Sequence, residues 1–149
     1  MNKDASRKTK LEFPASSINE SFARVFAAAY ASRLDPTLEE LADIKTVISE
    51  AVTNAIVHAY PDGNGTVTIT ARILNGDTLE FVIRDKGLGI QNIEQAMEPM
   101  FTTGGEERSG MGFTIMQSFT DRMSVVSKPG KGTKVTLLKR IIRIPNRSK

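Results

Sequence analysis

The chain has 149 residues, 40% of them hydrophobic and 25% charged, with a formal net charge of +3, no cysteine and one histidine. That length suits one domain with its own core. The missing cysteines exclude disulfides and thiolate chemistry, and a lone histidine argues against a zinc site held by protein ligands.

The elements read as follows in chain order. Thr9–Phe13 alternates polar and apolar residues, as a strand does. Ser17–Arg33 reads as a helix, with Ser17 and Glu20 spaced as a capping box and Phe22, Val25, Phe26 and Ala29 as its core stripe. Asp35 and Pro36 suit the N-cap and first turn of a second helix. That helix runs to about Ala59, with Leu41, Ile44, Ile48, Val52 and Ala55 as its apolar face, and the turn residues from Pro61 to Gly65 end it. Thr66–Leu74 and Thr78–Asp85 are β-rich runs joined by Asn75-Gly76-Asp77, a hairpin signal. Ile93–Met97 reads as a short helix, Thr102–Gly110 as a polar, glycine-rich mobile loop, and Gly112–Thr120 as a helix. Met123–Ser127 and Thr133–Ile142 read as strands joined by Pro129-Gly130-Lys131-Gly132. Strands joined mostly by hairpins, with helices to cover one face, define an α+β fold: a two-layer sandwich with a largely antiparallel mixed sheet.

Charge is distributed unevenly. Residues 1–10 carry a net +3 and residues 139–149 a net +5, which leaves −5 for residues 11–138. An acidic middle with basic tails, at about 1–8 and 140–149, is the reverse of a nucleic-acid-binding domain, which concentrates positive charge on a folded face. No apolar run approaches the roughly 18–20 residues that span a bilayer. No apolar segment follows MNKDASRKTK as it would in a secretory signal. The expectation is a cytoplasmic single domain over residues 1–149, with neither nucleic acid nor membrane as a direct partner.

Three polar motifs carry chemistry. Glu50 and Asn54 in SEAVTNAIVHAY are four apart on one helix, so their side chains project together. The pair reads as a solvated polar face or as a working site. In the second case the amide oxygen of Asn54 suits Mg²⁺ and the carboxylate of Glu50 suits a general base. Asp85 in RDKGLGI ends a strand, with Gly87 and Gly89 after it. It is a plain strand-to-loop turn or a carboxylate placed to accept from an exocyclic amine such as adenine N6, the glycines letting a ligand approach the backbone. Gly110 and Gly112 in RSGMGFTIM open a helix, either a simple junction or an anion site built from free N–H groups. No Walker A lysine and no Rossmann fingerprint accompany them. Arg108, in the loop that Gly104-Gly105 hinges, can clamp a γ-phosphate or pair with Glu106 or Glu107. His58 reads as a capping or surface residue. Phe101, Phe113, Phe119, Met111, Met116 and Met123 read as core.

The three motifs, in this order on a helix, a strand end and a helix start, resemble the nucleotide site of the GHKL superfamily, which includes gyrase, Hsp90, MutL and the histidine kinases. The resemblance tightens through Asn19-Glu20-Ser21-Phe22-Ala23-Arg24-Val25, Leu34-Asp35-Pro36-Thr37, Ile44-Lys45-Thr46-Val47 and ERSGMGFTIM. Over roughly residues 9–139 the chain is similar to the sporulation anti-sigma F factors of spore-forming bacilli. That family implies a Bergerat-type ATP-binding fold and a homodimer that holds a sigma factor. It also implies an ATP- and Mg²⁺-dependent kinase that phosphorylates a serine of an anti-anti-sigma protein. It implies Glu50 as the base, Arg108 at the γ-phosphate, Asn54 as the magnesium ligand and Asp85 as the adenine reader. The nucleotide pocket then also draws on Gly87, Gly89, Thr103, Ser109, Gly110, Met111, Gly112 and Thr133, the last supporting Asp85 through a water. Glu20 and Arg24 become the partner-facing pair. Gly104-Gly105 departs from the lysine and proline the family tends to carry in the lid. A nucleotide-dependent binding module without turnover is the competing reading, and Glu50 argues against it. A detached histidine-kinase catalytic domain is the other, and the lack of a helix pair bearing a phosphoacceptor histidine argues against that.

Overall fold

The computed structural model describes residues 7–60, 62, 64–89 and 112–142. Five strands form one sheet: β1 (Thr9–Pro14), β2 (Thr66–Leu74), β3 (Thr78–Asp85), β4 (Arg122–Lys128) and β5 (Gly132–Arg140), in the spatial order β1-β2-β3-β5-β4. Every neighbouring pair is antiparallel. The β2–β3 turn places Asn75 and Gly76 at φ of 56° and 75°, the left-handed pair that a tight hairpin of right-twisted strands requires.

Period-two burial selects the inner face of the sheet. Val67, Ile69 and Ala71 of β2, Leu79, Phe81 and Ile83 of β3, and Val135 and Leu137 of β5 are buried. The register sets Ile69, Ile83 and Val135 in one row and Ala71, Phe81 and Leu137 in the next. Helices α1 (Asn19–Ala31), α2 (Leu38–Asn54) and α3 (Gly112–Ser118) cover this face. Tyr30 of α1 meets Phe81 edge-on at 6.4 Å between ring centroids. This is the expected α+β two-layer sandwich, with the sheet antiparallel throughout the described residues.

Both helix starts differ from the sequence reading. Helix α1 begins at Asn19 with no side-chain cap. Ser17 contributes its carbonyl oxygen to the Glu20 N–H at 3.2 Å, and the Glu20 carboxylate is used elsewhere. Helix α2 begins after Thr37, whose hydroxyl accepts the Glu40 N–H at 3.0 Å while Glu40 Oε1 accepts the Thr37 N–H at 2.8 Å. This reciprocal box satisfies two donors at once, so it outcompetes the Asp35 cap; Asp35 instead takes φ of 52° at the end of a short 3₁₀ turn, Ser32–Leu34.

The inward face of α1 is also corrected. Ala23, Ala27, Tyr30 and Ala31 are its buried residues. Phe22 and Val25 are 54% and 64% exposed. Two stripes of similar spacing compete on this helix, and the alanine stripe wins because it lets α1 lie close against α2 and the sheet. Helix α2 buries Ile44, Val47, Ile48, Ala51 and Val52, and Leu41 is half-buried. The chain continues beyond Asn54 as a π-helical turn, Ala55–Ala59. Met116 is buried and Phe113 and Met123 pack against the core, whereas Phe119 is 39% exposed, contrary to its reading as core. Among the described residues no helix is long and apolar enough to cross a membrane.

Candidate active site

Glu50 and Asn54 lie on the last turns of α2, both half-buried. The buried stripe that ends in Ala51 and Val52 fixes their angle about the helix axis. Gly112, the first residue of α3, sits against them. A Cβ there would stand 3.1 Å from Asn54 Nδ2 and 3.3 Å from both Asn54 Oδ1 and Glu50 Oε2. Two side-chain oxygens, one neutral and one from a carboxylate, thus border one small cradle that a side chain at position 112 would crowd. Hard oxygen donors of this kind, few in number, fit Mg²⁺.

Asp85 ends β3 on the helix-facing side of the sheet, in register with Thr133 of β5. Its Oδ1 accepts the main-chain N–H of Gly87 at 3.0 Å and that of Thr133 at 3.2 Å. Among the described residues no hydrogen bond reaches Oδ2. Burial pushes the carboxyl above the ordinary aspartate value, and the two N–H donors offset part of that rise. Thr133 therefore supports Asp85 directly, through its main-chain N–H. Its hydroxyl pairs with Ser127 Oγ at 2.8 Å.

The turn after Asp85 is packed from both sides. A Cβ on Gly87 would stand 2.1 Å from the Ala59 carbonyl oxygen, so no larger residue fits there. The Leu88 N–H donates to that same oxygen at 2.9 Å. Gly89 approaches the Lys128 carbonyl on the opposite side, at the turn between β4 and β5. The end of the α2 segment therefore touches the Asp85 turn, which brings the first two polar motifs to one end of the domain.

On α1, Arg24 Nε donates to Glu20 Oε2 at 3.0 Å. The other Glu20 oxygen accepts from Ser49 Oγ of α2, the residue beside Glu50. His58 lies half-buried in the π-helical turn. Thr103, Arg108, Ser109, Gly110 and Met111 lie outside the described residues, as do Phe101, the Ile93–Met97 helix and the Thr102–Gly110 loop. Ser49, Tyr60 and Ser127 belong to the neighbourhood although none was singled out from the sequence. The one available signal was for Tyr60: a large residue with a polar tip that closes the SEAVTNAIVHAY segment.

These features define a class, and comparison with known proteins agrees. The family model described as histidine kinase-like ATPase domain matches residues 13–139. The anti-sigma F factor of Clostridium acetobutylicum is 53% identical over 138 residues, 92% of this chain and 96% of that protein. The anti-sigma F factor of Caldanaerobacter subterraneus subsp. tengcongensis is 56% identical over 136 residues, 90% of this chain and 94% of that protein. Among solved structures, the RsbU and RsbW domains of a Mycobacterium tuberculosis protein align with a TM-score of 0.63 at 18% identity, covering 91% of this chain and 33% of that one. The mycobacterial sensor histidine kinase MprB aligns with a TM-score of 0.58 at 14% identity, covering 91% of this chain and 99% of that one; at such identities these two show the fold. The chain belongs to the anti-sigma F factor family of histidine kinase-like ATPase domains.

Proposed function

We propose that this protein is an anti-sigma factor and a kinase in one: as a homodimer it sequesters a sporulation sigma factor, and it uses ATP to phosphorylate a serine of the anti-anti-sigma protein that antagonises it. The observation that carries the kinase half is the shared cradle of Glu50, Asn54 and Gly112. A module that only bound nucleotide would need no carboxylate beside its metal ligand. Phosphoryl transfer calls for positioning, charge neutralisation and a group to take the hydroxyl proton. Asn54 would hold Mg²⁺, which supplies positive charge at the phosphates when bound. Glu50 takes the proton of the incoming serine hydroxyl. Asp85 reads the adenine amine, with Gly87, Gly89 and Thr133 shaping its surroundings. Thr103, Ser109, Gly110, Met111 and Gly112 line the phosphate end, and Arg108 meets the γ-phosphate. The anti-sigma half rests on the relatives that carry that name at more than 50% identity over most of both chains. Within this reading the chain works as one ATP-binding domain in the cytoplasm, without direct contact to nucleic acid or membrane.

The deciding experiment incubates the chain with γ-labelled ATP, Mg²⁺ and the anti-anti-sigma protein, followed by phosphoamino-acid analysis. Labelled phosphoserine on the partner is expected. Nucleotide binding with no transfer to the partner would make the chain a nucleotide-gated binding module. Label retained on this chain's own histidine would make it a histidine kinase.

A further inference from the structure

We infer that Tyr60 is a positioning residue for base recognition: its hydroxyl holds the turn that carries Asp85, so the preference for adenine depends on a side chain outside all three polar motifs. This rests on the nucleotide reading above and adds the residue that sets where Asp85 stands.

Helix α2 gives way at Asn54 to the π-helical turn Ala55–Ala59. A π turn takes more residues than an α turn, so it re-aims everything after it, and such turns recur at functional sites. Here it delivers the Ala59 carbonyl and the Tyr60 ring to the segment after β3. Tyr60 is buried. Its hydroxyl donates to the Thr66 carbonyl at 2.9 Å and accepts the Lys86 main-chain N–H at 2.6 Å. One hydroxyl thereby uses both its roles to join the first residue of β2 to the residue after Asp85. The seat of the ring is part of the backbone design, since a Cβ on Gly65 would stand 2.2 Å from it.

The consequence for Asp85 follows from the next two residues. Strand β3 ends at Asp85, and the Lys86 N–H is satisfied by Tyr60. Gly87, one residue further, supplies the N–H that orients Asp85 Oδ1. The turn is then pinned by Leu88, which donates to Ala59 and accepts from the Gly130 N–H at 2.6 Å. Releasing Lys86 moves the Gly87 N–H, and with it the direction of Oδ2. A carboxylate oxygen placed for an exocyclic amine accepts from adenine. Guanine carries a carbonyl oxygen at the corresponding position, which repels it. Misplacing Oδ2 therefore costs affinity for adenine nucleotides and leaves guanine nucleotides as poor as before, so discrimination narrows.

The test is Tyr60→Phe, which keeps the ring against Gly65 and removes only the hydroxyl. ADP and GDP binding are measured by calorimetry on the full chain for wild type, Tyr60→Phe, Asp85→Asn and the double variant, with exchange of the Lys86 amide followed by NMR. Tyr60→Phe should lose roughly five- to fiftyfold in ADP affinity, the range for weakening one hydrogen bond to a charged group. The ratio of ADP to GDP affinity should shrink and the Lys86 amide should exchange faster. In the Asp85→Asn background the same change should cost little more, because the two residues act through one contact. Wild-type ADP affinity in Tyr60→Phe would overturn the inference. So would an equal loss in both backgrounds with the ADP-to-GDP ratio unchanged, since that marks a hydroxyl that only stabilises the fold. A wild-type chain that binds no ADP would overturn the nucleotide reading itself, and would show this before any variant is compared.

Discussion

The main-chain N–H of Thr133 donates to Asp85 Oδ1 at 3.2 Å, across the β3–β5 pair whose register sets the two residues opposite each other. Gly87 donates to the same oxygen. One carboxylate oxygen is thus committed to the backbone, and among the described residues no hydrogen bond reaches the other. In Asp85→Asn the amide oxygen can keep both backbone bonds, which puts the NH₂ where Oδ2 was. A donor then faces the adenine amine. Such a mismatch in a partly buried site costs about 1–3 kcal/mol of ADP affinity. Calorimetry that shows unchanged ADP binding would remove Asp85 from the site.

The same carboxyl makes a pH prediction. Burial raises Asp85 above the ordinary aspartate value, so the native state keeps its proton to higher pH than the unfolded chain does. Between those two values the native state binds more protons, and stability falls as pH rises. The favourable contribution is complete below the unfolded value and is gone once pH has passed the native one. Asn at this position has no proton to lose. In denaturant titrations the stability of Asp85→Asn relative to wild type should rise with pH across that window and level off above it. ADP, which needs the ionised acceptor, should bind wild type more tightly as pH rises through the same window. A flat stability difference from acid to neutral pH would show that the carboxyl titrates normally.

The sheet was legible because each strand alternates and because Asn75-Gly76 admits one kind of turn. The inward face of α1 was not. Phe22 and Val25 satisfy helical spacing as well as Ala23, Ala27 and Tyr30 do, and spacing alone does not say which face must approach a neighbour closely; Phe26 of the same expected stripe does pack against the core. Asp35 against Thr37 is a similar case: both are good caps, and the Glu40 side chain that settles the choice acts through space. The site motifs were legible one at a time because each has a local residue requirement. The Asp85–Thr133 bond joins residues 48 apart in sequence, and Tyr60 reaches Lys86 across 26. No local pattern records either contact.

Glu50→Gln keeps the size and polarity of a side chain that borders the Gly112 cradle with Asn54, but it cannot take a proton. ATP binding should persist and transfer to the partner serine should slow roughly 10²–10⁴-fold. Single-turnover transfer, with ATP affinity measured alongside, checks both halves. Transfer at the wild-type rate would make Glu50 a structural residue.

Arg108→Ala should slow transfer and leave ADP affinity nearly unchanged, because a guanidinium that meets only the γ-phosphate has nothing to hold in ADP. The measurement is the ratio of ATP to ADP affinity, together with the transfer rate. Equal losses for the two nucleotides would instead assign Arg108 to the folding of its own loop.

Arg24 of α1 is linked through Glu20 to Ser49 of α2. Its side chain is 43% exposed and bonded to Glu20, whose other oxygen is held by Ser49, the neighbour of Glu50. As an ion pair four residues apart on one helix, Arg24–Glu20 contributes only about 0.3–0.5 kcal/mol to stability, so folding gives little reason for it. Phe22 and Val25 stand exposed on the same helix. An exposed arginine is a frequent interface anchor. Arg24→Ala should leave the melting temperature, ATP binding and dimerisation intact. It should weaken the sigma factor, its antagonist, or both by about 2 kcal/mol, as loss of such an anchor does. A loss for both partners would place them on one surface, where each displaces the other by occupying it, with no long-range conformational change required. If pull-downs and titrations find both partners bound at wild-type strength, Arg24 is a surface ion pair and the exchange of partners is controlled elsewhere.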